Sequence, residues 1–221
     1  MDTSDSIKVA PSILSADFAC LLDDIRKIEK NADYLHIDVM DGHYVPNITF
    51  GIPVIRSIRP YTSLPFDVHL MVTNPMDLID VFAQAGADLI TVHIETVDDP
   101  SEAIRRIHAL GKKAGFSIHP DTDVQAVSPY IKDLDLVLIM SVYPGFGGQV
   151  FLPEALDRIR AVRNMLDEIG SVALLSVDGG ISDRTAPLAV AAGATLLVAG
   201  NAIFGAGDPA EAIRRLKECA G

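Results

Sequence analysis

The chain carries eight short apolar runs, separated by stretches in which apolar residues recur with helical spacing. The runs cover residues 7–13, 34–39, 66–71, 88–94, 114–118, 134–142, 173–177 and 195–199. Short runs that are apolar at nearly every position are typical of parallel strands buried on both faces. Between the first two runs, residues 18–28 place their apolar side chains along one stripe, as in a helix that packs on a sheet. This alternation predicts an α/β fold, a single (β/α)8 TIM barrel.

Proline and glycine mark the helix boundaries. Three predicted helices begin with a capping residue followed by proline, at Asn74-Pro75, Asp99-Pro100 and Asp208-Pro209. Glu102 and Glu211 follow their capping aspartates by the spacing of a capping box. Glycine ends a helix at low steric cost, because it adopts the left-handed conformation readily. Helix ends are therefore predicted at Gly86, Gly111, Gly170 and Gly193.

One catalytic domain is expected over residues 1–221. This length suits one large core, and 49% of the residues are hydrophobic. No linker or low-complexity segment interrupts the pattern. A doubly wound sheet is the rival fold, but the segment after the first run reads PSILSADF and lacks the GxGxxG turn of a dinucleotide-binding unit.

Composition excludes several partners. The formal net charge of −12 opposes the cationic surface that phosphate backbones require, so no nucleic-acid partner is expected. No apolar run is long enough to span a bilayer. The two cysteines, Cys20 and Cys219, form no CxxC motif, which fits a reducing compartment. The opening segment MDTSDSIKVAPS lacks the pattern of a secretory signal. We expect a cytoplasmic homo-oligomer, although helical patterning leaves the number of subunits open.

Four side chains suited to a metal or a proton stand at the carboxyl ends of predicted strands: His36, Asp38, His69 and Asp178. Active sites of (β/α)8 barrels lie at this end, so the four should converge there. A lone buried histidine is more often a hydrogen-bonded core residue, but two carboxylates in one apolar mouth need a cation or a shared proton.

The nitrogen and oxygen donors of this set suit one divalent metal ion, Zn2+, Fe2+, Mn2+ or Co2+. His93 and Glu95, at the end of the fourth strand, are the strongest rival ligands. Their segment reads TVHIET, without a glycine-rich turn that would admit a ligand. We therefore expect them to support the site or to line its mouth.

Glycine defines a second site in the loops after the last three strands. The segments are residues 144–149 (PGFGGQ), 178–180 (DGG) and 199–201 (AGN). Their backbone N–H groups are unobstructed by side chains, and these loops often bind phosphate in such barrels. Tight turns alone explain each glycine separately, but three neighbouring loops favour phosphate. None of the segments contains lysine or arginine, so amides and dipoles would carry the binding.

Six segments, APSILSADF, HIDVMDGHYVPN, DVHLMV, MSVYPGFGGQVF, SVDGGI and VAGNAIF, follow one another over almost the whole chain. Together they resemble the successive signatures of the ribulose-phosphate 3-epimerase family. The resemblance implies an isomerase of carbohydrate metabolism, in the pentose phosphate pathway or the Calvin cycle. It also implies that His36, Asp38, His69 and Asp178 are metal ligands and that Asp38 and Asp178 are the acid and base pair.

The same resemblance implies a set of substrate-binding residues, from the first, third, sixth, seventh and eighth strands. They are Ser12, His69, Gly145, Phe146, Gly147, Gly148, Asp178, Gly179, Gly180, Gly200 and Asn201. Three positions depart from the family pattern. Asn201 replaces a usual serine, Tyr143 a common asparagine or glutamate, and Ser176 a usual glutamate, all positions that affect hydrogen bonding around the site or closure of its loops.

The chemistry also follows from the residues. Inverting a carbon beside a ketone requires removal of its proton to give an enediolate, and return of a proton to the opposite face. Asp38 and Asp178 would stand on the two sides of the substrate, one ionised and one protonated, while a divalent cation stabilises the negative charge.

Met40, Met71 and Met140 also fall near the predicted strand ends. Filling of the core is the default role of methionine at such positions. The functional alternative is that they form an apolar cover over the enediolate.

These observations predict a metal-dependent epimerase that interconverts D-ribulose 5-phosphate and D-xylulose 5-phosphate. The alternative substrate is D-allulose 6-phosphate, because the motifs specify the reaction better than the chain length of the sugar. A barrel lyase related to orotidine-phosphate decarboxylase is disfavoured, because strand two reads HIDVMD and lacks the lysine of the Asp-x-Lys-x-x-Asp array. A phosphate sensor would need the glycine loops but not two histidines and two aspartates.

Overall fold

Eight parallel strands form one sheet in the computed structural model, which describes residues 7–220. The strands are β1 (Lys8–Pro11), β2 (Leu35–Met40), β3 (Phe66–Met71), β4 (Leu89–His93), β5 (Lys113–Ile118), β6 (Leu136–Met140), β7 (Leu174–Asp178) and β8 (Leu196–Ala199). From β2 to β8 each strand pairs with the next in sequence, and β8 pairs with β1. The predicted (β/α)8 barrel is therefore confirmed. The first six residues of the polar opening segment lie outside the described residues.

The barrel closes between β1 and β2 with less strand pairing than elsewhere. The register elsewhere runs from three residue pairs between β7 and β8 to six between β2 and β3. The seam between β1 and β2 is instead an isolated parallel bridge, Ser12 with His36. The predicted strand 7–13 ends early, at Pro11, because residues Ile13–Ser15 form a 3-10 turn that the Ser12 side chain caps.

Helices cover the outside of the sheet. They are α1 (Leu21–Ile28), α2 (Ile52–Ile58), α3 (Pro75–Ala85), α4 (Pro100–Ala109), α5 (Ala155–Glu168), α6 (Ala186–Ala191), α7 (Asn201–Phe204) and α8 (Pro209–Ala220). The alternation is not complete, because β5 and β6 are joined by two 3-10 segments, Val124–Val127 and Ile131–Asp133. Within residues 7–220, no helix is both long enough and apolar enough to cross a membrane.

The predicted helix boundaries are largely confirmed. Helices α3, α4 and α8 begin at Pro75, Pro100 and Pro209. All four glycines predicted to end helices have positive φ. The capping boxes form only in part. Asp99 and Asp208 accept from the backbone N–H groups three residues on, but the carboxylates of Glu102 and Glu211 bind Arg105 and Arg214 instead of returning to the caps.

The interior of the barrel is polar on one side and apolar on the other. Ile37 and Val39 of β2 belong to the apolar layer between sheet and helices, so the alternate residues of β2 face the axis. The polar side chains inside the barrel come mainly from β2 to β5, and they are His36, Asp38, Asp67, His69, Thr91, His93 and Ser117. Apolar side chains fill the side formed by β6, β8 and β1, and they are Leu136, Leu138, Met140, Leu196, Val198 and Ala10. Ionisable chemistry is thereby concentrated beside β2, β3 and β4.

Candidate active site

The four side chains that the sequence predicts at strand ends come together inside the barrel. One potential ligand atom from each of His36, Asp38, His69 and Asp178 lies within 4.8 Å of the others. The two imidazoles are completely buried, Asp38 is 3% exposed, and Asp178 is only partly buried. The four predicted residues thus come together, but only Asp178 is the last residue of its strand. Asp38 and His69 lie two residues before the ends of β2 and β3, and His36 is the second residue of β2, so its predicted place at a strand end was wrong.

Strand register explains why three of the four touch. In the parallel pairing of β2 with β3, Asp38 lies beside His69 and His36 lies beside Asp67. Residues two apart on a strand share a face, so His36 and Asp38 both point to the axis. Asp178 ends β7 and reaches the same space from another side of the barrel.

His36 is held between two carboxylates. Its Nδ1 donates to Asp67 Oδ2 at 2.7 Å, and its Nε2 lies 3.2 Å from Asp38 Oδ1. Burial opposes protonation, but the negative charges of Asp38 and Asp67 raise the pKa of His36 well above its ordinary value. The Asp67 contact fixes the ring so that Nε2 faces the site, as is usual for a histidine ligand.

His69 is held by a histidine instead. Its Nδ1 lies 3.3 Å from Asp38 Oδ1, and its Nε2 lies 3.0 Å from Nε2 of His93. Burial lowers the pKa of His69, and it lowers that of His93 to about 4. His93 and Glu95 lie outside the four-residue cluster. His93 contacts the nitrogen of His69 that faces away from Asp38.

The donor atoms fit a divalent cation. Asp38 Oδ1 lies within 3.3 Å of the inward nitrogens of both His36 and His69. When both imidazoles are neutral and their outer nitrogens carry the protons, three lone-pair atoms face one point, and such an arrangement needs a proton or a cation between them. Ligands about 2.1 Å from a common ion lie roughly 3 to 4 Å apart, close to the spacing found here.

The two acids of the cluster have opposite proton affinities. Although burial opposes ionisation, the charge of His36 and hydrogen bonds from His36 and His69 hold the pKa of Asp38 well below its usual range. Ser12 Oγ adds a hydrogen bond to Asp38 Oδ2 at 2.5 Å. Burial, followed by the negative charge of Asp38, raises the pKa of Asp178 to about 7. The site thus favours the ionised form of Asp38 and the protonated form of Asp178.

We expect Asp178 of the metal-free protein to titrate near pH 7. The pKa of its carboxyl rises from 3.8 to about 7, so within that window the folded state binds a proton that the unfolded state has released. The free energy of unfolding should therefore fall as the pH rises from about 4 to about 7. Denaturant unfolding of the metal-free protein at both ends of this window measures the loss.

The control for this titration is Asp178→Asn. The asparagine side chain does not titrate, so the free energy of unfolding should fall less between the two pH values in the variant than in the wild type. Carboxyl 13C NMR of the wild type gives the midpoint directly. A midpoint below pH 5 would contradict the prediction.

The cluster opens into a cavity of about 560 Å³. Side chains from the strand ends line its inner part, namely Ser12, Asp38, Met40, Met71, Met140 and Asp178. The glycine loops line its outer part, with Gly145, Phe146, Gly147, Gly148, Gly179, Gly180, Gly200 and Asn201. The structure therefore places both sequence-predicted sites in one continuous space.

The three departures from the family pattern occupy different surroundings. Tyr143 is half exposed, and its hydroxyl donates to Asp121 Oδ1 at 2.8 Å. Ser176 is buried inside the barrel, and its Oγ has no hydrogen-bond partner among the described residues. Asn201 packs against Gly148, where an added Cβ would overlap its side-chain nitrogen. Of the three, Asn201 alone lines the cavity.

Sequence reasoning missed two side chains of this site. Asp67 precedes His69 by two residues on β3, so strand periodicity alone would have placed it on the same inward face. Arg184 lines the cavity four residues after Gly180 and adds a cation that the glycine segments themselves lack. Because Arg184 lies outside the three segments, no local motif pointed to it.

Comparison with known proteins assigns the family. The model of the Ribulose-phosphate 3 epimerase family matches residues 8–204. The chain belongs to this family. Ribulose-phosphate 3-epimerase of Bacillus subtilis (strain 168) is 51% identical over 213 residues, covering 96% of this chain and 98% of the relative. The cytoplasmic isoform from Oryza sativa subsp. japonica is 44% identical and covers 99% of this chain and 96% of its own.

Solved structures share the fold. A 3-hexulose-6-phosphate synthase superposes with a TM-score of 0.67 at 25% identity and covers 98% of this chain and 100% of its own. Orotidine 5'-phosphate decarboxylase from Pyrococcus horikoshii OT3 has a TM-score of 0.68 at 18% identity, covering 96% of this chain and 98% of its own. The latter likeness shows the barrel alone. Membership of the epimerase family makes the chain an isomerase of carbohydrate metabolism.

Proposed function

We propose that this member of the ribulose-phosphate 3-epimerase family interconverts D-ribulose 5-phosphate and D-xylulose 5-phosphate by inverting C3. The observation that carries the proposal is the pairing of Asp38 with Asp178. The two acids line one cavity, come from β2 and β7, and have pKa values displaced in opposite directions. An epimerisation through a planar intermediate needs such a pair, because one proton leaves and another arrives on the opposite face.

Each acid has a defined part in the proposal. Ionised Asp38 removes the C3 proton of one epimer, and protonated Asp178 delivers a proton to the other face. In the reverse direction the two exchange roles. Ser12 donates to Asp38 Oδ2 at 2.5 Å, which leaves the other carboxylate oxygen, Oδ1, directed at the histidines.

His36, Asp38, His69 and Asp178 are the residues that would hold one divalent cation, with Zn2+, Fe2+, Mn2+ and Co2+ as candidates. When bound, the cation supplies positive charge that stabilises the negative charge developing on the substrate oxygens. His36 and His69 keep their inward nitrogens fixed through contacts with Asp67 and His93. The protein groups therefore do not have to reorganise during the reaction.

The remaining lining residues bind and shield the sugar phosphate. The backbone N–H groups of the loops at residues 145–148, 179–180 and 200–201 would bind the phosphate, and Arg184 would add positive charge nearby. Met40, Met71 and Met140 line the inner part of the cavity and are at most 4% exposed. They form an apolar cover that excludes water from the enediolate.

Turnover in deuterated water tests the reaction. We expect D-ribulose 5-phosphate to give D-xylulose 5-phosphate that carries one solvent deuteron at C3, because Asp178 exchanges its proton with solvent between turnovers. Proton NMR follows both the epimer and the label. Epimerisation without solvent label would contradict the two-acid mechanism, and absence of epimerisation by the metal-loaded protein would contradict the function.

D-allulose 6-phosphate is the comparison substrate in the same assay. The curated relatives reported above are named for the five-carbon sugar, so we expect that sugar to have the higher kcat/KM. A higher value for D-allulose 6-phosphate would reassign the substrate while leaving the proton transfer unchanged.

A cytoplasmic location, a homo-oligomeric state and the absence of a nucleic-acid partner stay predictions. The net charge of −12 supports the last of these. Light scattering of the purified chain would determine the oligomeric state.

A further inference from the structure

His93 links the site to a carboxylate on its far side. Its Nε2 lies 3.0 Å from His69 Nε2, and the two rings are 5.0 Å apart between centroids. Its Nδ1 faces two oxygens, the hydroxyl of Tyr44 at 2.8 Å and Glu95 Oε2 at 3.3 Å. His69 and His93 are both completely buried, so water does not compete for the contact between their rings.

Glu95 is fixed and ionised. Its other oxygen, Oε1, accepts from the backbone N–H of His119 at 2.8 Å. Burial opposes its ionisation, but hydrogen bonds from His93, Thr122 and the His119 backbone hold the pKa of Glu95 at about 2. An ionised carboxylate accepts hydrogen bonds and donates none.

The ionised carboxylate of Glu95 determines which nitrogen carries the proton on the imidazoles of His93 and His69. An unprotonated Nδ1 of His93 would place its lone pair against the carboxylate of Glu95, so Nδ1 carries the proton. Tyr44 is compatible with either arrangement, because a hydroxyl both donates and accepts. Neutral His93 then has an acceptor at Nε2, which leaves the Nε2 of His69 as the donor in the 3.0 Å contact. When a cation takes the place of the proton between His69 Nδ1 and Asp38 Oδ1, this arrangement leaves Nδ1 of His69 unprotonated and facing the cation.

We propose that Glu95 and His93 are positioning residues that fix the tautomer of His69, so that its unprotonated Nδ1 is presented to the cation. The inference rests on the proposed cation site. It parallels the contact of His36 with Asp67, where a carboxylate acts directly on the imidazole. At His69 the carboxylate acts through an intervening imidazole.

Three substitutions test the proposal by cation affinity. Glu95→Gln keeps the shape but replaces an obligatory acceptor with an amide that also donates, so the dissociation constants of Zn2+ and Mn2+ should rise about tenfold. His93→Phe leaves the Nε2 proton of His69 without an acceptor, and the rise should approach about 100-fold. His93→Gln restores an acceptor oxygen and should fall between wild type and His93→Phe. Competition with a chelator measures all of these constants.

His108→Gln is the matched control. His108 contacts Asp135 on the surface at 2.9 Å, away from the cavity, and its substitution should leave the affinity unchanged. Denaturant unfolding of every variant separates loss of fold from loss of affinity. Equal affinities for wild type, Glu95→Gln and His93→Phe would overturn the proposal.

Nitrogen-15 NMR of labelled histidine reads the tautomers directly. In the Zn2+-loaded protein we expect the proton of His69 on Nε2 and that of His93 on Nδ1. If the wild type binds none of the four cations, the proposed cation site fails and this inference fails with it. If a cation binds, the spectrum of the loaded protein decides this inference alone, because a His93 proton on Nε2 would overturn it and one on Nδ1 would support it.

Discussion

Asp38→Asn and Asp178→Asn should each lower kcat by about 1,000-fold or more, because a proposed proton-transfer group is replaced by an amide that neither accepts nor delivers the proton. Asparagine is nearly isosteric with aspartate and retains an oxygen toward the cation. Initial rates with D-ribulose 5-phosphate measure the loss. Asp157→Asn on the outer surface of α5 is the control and should retain wild-type activity, since Asp157 is highly exposed and contacts Arg160.

Hydrogen exchange distinguishes catalysis from damage in these two variants. With Asp178 replaced, Asp38 can still remove and return the C3 proton of the epimer that faces it. With Asp38 replaced, Asp178 can do so for the other epimer once ionised. We therefore expect each variant to exchange C3 with deuterated water for one epimer only, and the two variants to prefer opposite epimers. Exchange of the same epimer by both, or retained turnover in both, would defeat the assignment.

Gly180→Ala should be the most destabilising single-methyl change in the glycine loops. Gly180 has φ of 63°, and an added Cβ would overlap the backbone nitrogen of Phe151 and lie 2.7 Å from its Cα. Backbone atoms cannot move aside as a flexible side chain does. The left-handed conformation and the overlap together should cost about 3 kcal/mol or more, and displacement of the glycine loops proposed to bind phosphate should also raise KM.

Gly111→Ala is the matched comparison. Gly111 has φ of 70°, and nothing lies within 4 Å of the position that a Cβ would occupy. Gly111→Ala should therefore lower the free energy of unfolding only through the left-handed backbone conformation, by about 1 to 2 kcal/mol, and should leave KM unchanged. Denaturant unfolding and substrate saturation curves measure both quantities. Equal losses of stability would show that the contact with Phe151 is unimportant.

The sequence was sufficient to predict the barrel because each strand is buried on both faces. Continuous apolar runs indicated the eight strands, and the spacing of His36 and Asp38 indicated that both face the barrel axis. Two of the predicted strands, 7–13 and 134–142, are too long. The second includes Leu134, Ser141 and Val142, which are buried but lie outside β6, since burial does not require strand pairing.

The candidate site was predictable where its residues lie on the inward faces of strands. His36, Asp38, His69 and Asp178 all lie on strands, whereas Tyr44 and Arg184 reach the site or its cavity from loops. Nothing in the local sequence indicates that the Tyr44 hydroxyl meets His93, which is 49 residues away. The tautomers of the histidines likewise depend on contacts between strands, and these appear only when the register is known.

The bridge between β1 and β2 places closure of the cylinder beside the groups proposed to do the chemistry. Ser12 and His36 form that bridge, and Ser12 also donates to Asp38 across the same join. Replacement of Ser12 by alanine removes the side-chain hydrogen bond across the join at the same time as it alters the surroundings of Asp38. Activity screens alone would score both defects as one, so libraries that cover these positions need an independent measure of folding.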